Sequence, residues 1–182
     1  MPDPDQHIIA DLKDESKRDL AFHVLVKTYQ ERLYWHIRKI VLNHDDADDV
    51  LQNTFMKVWR SVDKFREESS LYTWLYRIAT NESITFLNSK KRKSLMPLGE
   101  ENEYLMENLS SDPYFEGDEI QLKLQKAIAR LPEKQRLVFN MKYFDEMKYD
   151  EMAKVLDTSV GALKASYHHA AKKIEEYIRT TD

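Results

Sequence analysis

"YDEMAKVLDTSVGALKASYHHAAKKIEEYI", from Tyr149 to Ile178, reads as a short helix, a tight turn and a longer helix. Met152, Ala153 and Leu156 fall on one face of the first helix. Val160, Leu163, Tyr167, Ala170 and Ile174 fall on one face of the second, at the three- and four-residue steps of a buried helical stripe. The spacing predicts the turn at Asp157-Thr158-Ser159. Aspartate tolerates left-handed backbone angles better than most residues, and Ser159 suits an N-cap. Ala153 is small enough to let the two helices approach. With the stripes turned inward, the longer helix shows Ala162, Lys164, Ala165, His168, His169 and Lys172 on its outer face. Gly161, in its first turn, leaves the backbone open to a phosphate. This is the shape that lays a second helix in the DNA major groove. The plainer reading is a helical hairpin with a solvated outer face.

Upstream, Pro132 separates helices predicted near 118–130 and 133–143, where it suits a first-turn position. The first half carries a long stripe of Phe22, Leu25, Val26, Tyr29, Leu33, Ile37, Ile40 and Val41. A second helix runs from about Asp45 to Val62 and opens on "DDADD", acids that suit the positive end of a helix dipole. A third runs from about Ser70 to Ser89 and ends in Lys90-Lys91-Arg92-Lys93. No strand pattern persists, so the expected fold is all-α.

Composition narrows the function. Apolar residues are 42% of 182, enough for real cores. Three glycines and no cysteine leave no Gly-rich phosphate loop, disulfide framework or thiolate metal site. No stretch approaches the ~18 apolar residues of a membrane span, and "MPDPDQHIIADLKDESKRD" has no apolar signal region. A soluble cytoplasmic protein is expected. The net charge of −4 hides segregation: +1 over residues 1–93, −8 over 94–119 and +3 over 120–182. Residues 94–117 combine two Pro, two Gly and six acids without a sustained helical period, and read as an extended, mobile linker. The predicted organisation is therefore two helical domains, 1–93 and 118–182, on an acidic tether.

The stretch "DKFREESSLYTWLYRIATNESITFLNSKKRK", residues 63–93, mixes aromatic and basic residues. Phe65, Arg66, Tyr72, Trp74, Arg77 and Asn81 suit a face that stacks on and hydrogen-bonds unpaired bases. Lys90, Lys91, Arg92 and Lys93 suit phosphates. Taken singly, Trp74 reads as core before platform, and a basic run at a helix end is often a dipole-matched, solvated terminus.

Three blocks, "DDADDVLQNTFMKVWRSVDKF", "REESSLYTWLYRIATNES" and "LPEKQRLVFNMKYFDEMKYDEMAKVLDTSVGALKAS", together resemble bacterial RNA polymerase sigma factors of the extracytoplasmic-function (ECF) type, in the sigma-70 family. The likeness covers most of the chain, in the family's order. It implies a first domain like sigma region 2, which grips the β-prime clamp of core RNA polymerase and reads the melted minus-ten element. It implies a second like region 4, which meets the β flap and reads the minus-thirty-five duplex. The linker is implied to thread near the RNA exit path, and an anti-sigma partner is common. On the clamp block fall Asp49, Gln52, Asn53, Phe55, Trp59 and Arg60. On the minus-ten pocket fall Phe65, Arg66, Ser69, Ser70 and Asn81, with Arg77 on the same face. On the minus-thirty-five side fall Ser159, Gly161, Lys164, Ala165, His168, His169 and Lys172.

The chain departs from the family's pattern in places. Asn53 stands where Glu is usual, Ser166 where a basic residue is usual, and Lys148 where Ser usually precedes the shorter helix. The first bears on polymerase binding, and the other two weaken the expected duplex affinity. An enzyme reading finds little support. The Asp45–Asp49 cluster lacks the Gly and Glu of a calcium loop, with Met56 at the twelfth position. Adjacent His168 and His169 cannot form an i, i+4 metal pair, and no nucleophile motif stands out. No small-molecule substrate or cofactor is implied. The alternatives weighed are a stand-alone helix-turn-helix regulator and a sigma mimic that binds only a regulator.

Overall fold

The computed structural model describes residues 4–93, 101–110, 112–113 and 118–181. Among them are nine α-helices and no strand. They are α1 (Pro4–Lys13), α2 (Arg18–Val41), α3 (His44–Ser61), α4 (Leu71–Lys93), α5 (Glu101–Ser110), α6 (Glu119–Ala129), α7 (Glu133–Tyr143), α8 (Tyr149–Leu156) and α9 (Val160–Thr180). None is long and apolar enough to cross a membrane.

α2 is the central mast. Leu25, Leu33 and Ile37 are fully buried, and α1, α3, α4 and α7 pack around it. α3 starts where the acidic run predicts. Asn43 caps it, accepting from the Asp46 amide at 3.0 Å. Ser70 caps α4 in the same way, accepting from the Thr73 amide at 3.2 Å. α1 was not foreseen; Ile8 and Leu12, one turn apart, bury it against the mast.

The helix-turn-helix is built as its sequence indicates. Asp157 ends α8 at φ 50°, ψ 51°, and Ser159 starts α9 by accepting from the Ala162 amide at 3.3 Å. Met152 is buried as expected, and Val155, one helical turn on, joins it, while Ala153 and Leu156 are partly buried. Ala170 and Ile174 of α9 close over Ala127, Ile128 and Leu131. Pro132 lies one residue before α7, as its N-cap, not inside the first turn. Arg136 is 1% exposed and donates to the carbonyls of Ala129 and Leu131, at 3.5 and 3.3 Å. A cation there meets the negative end of α6.

Two features differ from the sequence expectation. Residues 101–110 form α5 instead of extended chain, with Leu105 and Leu109 buried against Leu42 and Ala129. Leu42, part of that site, is the left-handed cap that ends α2, a non-glycine residue at φ 59°. The left-handed angle costs roughly 1–2 kcal/mol, offset by burial of the Leu42 side chain. The remainder of the predicted linker, apart from residues 112 and 113, lies outside the described residues. The second difference is that the halves share one apolar core. Val138, Met141, Met152 and Val155 from α7 and α8 join Leu33, Leu75 and Ala79 of α2 and α4.

Candidate nucleic-acid and polymerase interfaces

The first surface is an apolar groove of about 370 Å³ between α2 and α3. Phe22 and Val26 form one wall, and Gln52, Phe55, Met56, Trp59 and Arg60 the other. The Phe22 ring meets Trp59 edge-on at 5.0 Å. Arg18 steadies Trp59 from behind, with its guanidinium 4.8 Å from the ring centroid and a 3.0 Å bond to the Trp59 carbonyl. Asp49, Gln52, Asn53 and Arg60 are exposed around it, and Phe55 and Trp59 are half-buried. Leu20, Val24 and Met56 lie exposed on the same two helices. Phe22 and Val26 belong to the predicted α2 stripe; the structure puts them at its edge.

The second surface is a cleft of about 550 Å³ where the 65–70 loop and the start of α4 face α8. Phe65, Arg66, Ser69, Trp74 and Arg77 line it, as their grouping predicts. Arg66 and Arg77 are exposed at the rim. Phe65 is a correction. It is 5% exposed and packs on Trp74 with centroids 4.8 Å apart, so it supports the cleft instead of offering a free face to a base. Ser70 is another: its hydroxyl caps α4. Tyr72 turns away, packed at 4.3 Å and a 37° tilt on Tyr76 and covered by Arg32 at 5.0 Å. Asn81 is exposed one turn beyond Arg77, outside the cleft lining. The opposite wall, Ala153, Lys154 and Asp157, was not foreseen. It lies some 80 residues away in sequence and no local pattern connects the two.

Of the basic run at the end of α4, Lys90 pairs with Asp46, and Lys91 lies 3.9 Å from Glu133 of α7. Arg92 and Lys93 are exposed. A phosphate at the first two positions competes with these pairs.

The third surface is the outer face of α9. Lys164, Ala165, His168, His169 and Lys172 are all exposed, and a side chain at Gly161 would meet nothing within 4 Å. Ser159 is at its start, spent on the cap. The face is open to a groove-sized partner along its length.

Between the halves sits a buried charge cluster. His36 Nδ1 is 2.8 Å from one Asp145 oxygen, and Lys39 Nζ is 2.8 Å from the other. Burial pushes the Asp145 carboxyl upward, but His36 and then Lys39 more than offset it, and it stays below the ordinary carboxylate value. Burial and the Asp145 charge push the nearby Tyr76 phenol up, so it stays neutral.

The Sigma-70 region 2 family model matches residues 25–93, and the Sigma-70, region 4 model matches residues 121–174. The chain belongs to the sigma-70 family. It is 28% identical over 96% of its length to an ECF RNA polymerase sigma-E factor of Haemophilus influenzae, covering 95% of that protein. It is 28% identical to the ECF RNA polymerase sigma factor SigW of Bacillus subtilis, over 87% of this chain and 89% of the other. Its fold matches CnrH, solved in complex with the cytosolic domain of CnrY, at TM-score 0.73 and 21% identity, covering 99% and 100% of the two chains. It also matches the sigma factor RpoE of Bartonella quintana, solved with the anti-sigma factor NepR, at TM-score 0.68 and 20% identity, covering 88% and 98%. This sigma factor is of the ECF type and directs transcription initiation with core RNA polymerase.

Proposed function

We propose that the three surfaces divide the work of promoter recognition. The α2–α3 groove, rimmed by Asp49, Gln52, Asn53 and Arg60, takes the β-prime clamp. An apolar slot with a polar rim is the anatomy of a protein interface. The cleft and the adjoining face of α4, with Arg66, Ser69, Arg77 and Asn81, take the melted minus-ten strand; Arg92 and Lys93 hold its phosphates. The outer face of α9 enters the major groove at the minus-thirty-five element. In this division residues 1–93 and 118–182 are the two working domains, and 94–117 join them. The observation that carries this reading is the exposed, unobstructed face of α9, on a capped helix-turn-helix, in a chain that also has the aromatic groove.

The protein is not an enzyme in this reading. It acts in the cytoplasm, where its polymerase is. A control partner follows from the same geometry: a protein that covers the groove blocks polymerase. RpoE of Bartonella quintana is bound by an anti-sigma factor, and we extend such a partner to this chain.

Pull-down with core polymerase, run beside gel shift without it, tests the reading. Core binding through the groove with weak DNA binding by the free chain is expected. A stand-alone regulator gives the reverse, tight gel shifts and no core capture.

A further inference from the structure

The closed packing of the two halves conflicts with reading two promoter elements at once. Minus-ten and minus-thirty-five lie roughly 25 base pairs apart, or ~85 Å of duplex at ~3.4 Å per pair. Here α8 lies directly on α4, and Lys154 Nζ donates to the Glu68 carbonyl at 3.3 Å across the cleft. The 24 residues of segment 94–117 span at most ~86 Å when fully extended, and α5 touches Leu42 of one half and Ala129 of the other, so it cannot keep both contacts once the halves part. The closed form covers the cleft but leaves the α2–α3 groove and the α9 face free.

The charge cluster at this closure is tightly partnered. His36 Nδ1 faces one Asp145 oxygen and Lys39 Nζ the other, each at 2.8 Å. His36 Nε2 lies 2.8 Å from the Thr80 hydroxyl, which also lies 2.7 Å from the Tyr76 carbonyl. His36 is 1% exposed. Asp145 comes from the α7–α8 turn, and His36 and Lys39 both come from α2. Removing the carboxylate leaves the Lys39 cation and a buried ring nitrogen without their partner.

We propose that this sigma factor closes on itself, with α8 roofing its own single-strand cleft, and that Asp145 clamped between His36 and Lys39 is the latch that sets the balance between closed and open. The packing alone carries the latch. Its consequence for promoter opening rests on the reading of the cleft given above. Polymerase can dock on the free groove before the halves part, which orders assembly as docking first and strand capture second.

The chain has no native cysteine, so a dye pair at Gln30→Cys and Lys173→Cys, both exposed, reports the separation of the halves in the full-length protein. Single-molecule energy transfer on this parent should give mainly one short distance. Asp145→Asn, with helicity checked by circular dichroism, should raise the open-to-closed ratio at least tenfold. Lys39→Met removes the lysine cation and keeps the His36–Asp145 contact, guards against misfolding of the first variant, and should raise the ratio about threefold. Unchanged distance distributions in both folded variants, or a parent that is already mostly open, would overturn the latch. A fluorescent random-sequence single-stranded oligonucleotide then tests the cleft. It should bind the opened Asp145→Asn chain about tenfold more tightly than the parent, and Arg77→Ala should remove that gain. Opening without any gain would leave the latch standing and sink the reading of the cleft.

Discussion

Leu109→Ala should detach α5 without unfolding the protein. α5 has ten residues, short of the ~12–15 at which isolated helices become even marginal in water. Its stability therefore comes from docking, through Leu105 and Leu109 on Leu42 and Ala129. A buried Leu→Ala change costs about 2–5 kcal/mol where the site cannot collapse. Here the helix has an alternative, since it can leave. The loss should then show as local opening, not as global destabilisation. Hydrogen exchange resolves the two. Amide protection across 103–110 should fall about 30-fold or more, the equivalent of ~2 kcal/mol at ~1.4 kcal/mol per tenfold. Amides around Leu33 in α2 should keep their parent rates. The global unfolding free energy from urea titration should fall by less than about 1 kcal/mol. Parent-like protection in α5, or a global loss of the full 2–5 kcal/mol, would refute the claim that α5 is a docked, separable element.

Other substitutions probe other joints. Ser159→Ala should lower stability by about 1 kcal/mol through loss of the α9 cap, read by thermal melting; no change would mean the hydroxyl is not the cap. Joint replacement of Asp49 and Gln52 by Ala should weaken core-polymerase pull-down while stability stays within about 0.5 kcal/mol, because both are exposed; a large stability loss would mean they hold the fold. The Asp145 carboxyl lies below its ordinary value when folded, so the stability it supplies is present above the unfolded carboxylate range, about 4, and is lost as pH falls through the lower folded value. Asp145→Asn should therefore flatten the acid limb of a thermal-stability profile, below about pH 4. An unaltered acid limb would show that another carboxylate dominates.

The helix-turn-helix was legible because its signals are local. A left-handed aspartate, a serine cap and two apolar stripes all lie within 30 residues and agree with one another. The faces of α9 followed, since polar residues opposite a buried stripe must face out. α5 was not legible. Its stripe is two leucines in an acidic segment flanked by Pro and Gly, and only the site formed by Leu42 and Ala129 rewards it. α1 escaped for the same reason, with Ile8 and Leu12 too short a pattern to mark a helix. Phe65 lay in the right place with the wrong exposure, because aromatic residues near a basic rim fit a platform or its foundation equally well. The cleft's far wall and the His36–Asp145 pair were beyond sequence reasoning. His36 and Asp145 are 109 positions apart, and each alone is an ordinary polar residue.

The division of labour between the cleft side and α9 is tested most directly by abortive and run-off transcription with core polymerase on matched duplex and pre-melted templates. Asn81→Ala should spare the closed complex, damage opening by about 1–3 kcal/mol for a lost base contact, and stay defective on the bubble. Lys164→Ala should weaken the closed complex on duplex and be partly rescued by the bubble. Identical behaviour of the two variants on both templates would contradict the assignment of single-strand reading to one half and duplex reading to the other.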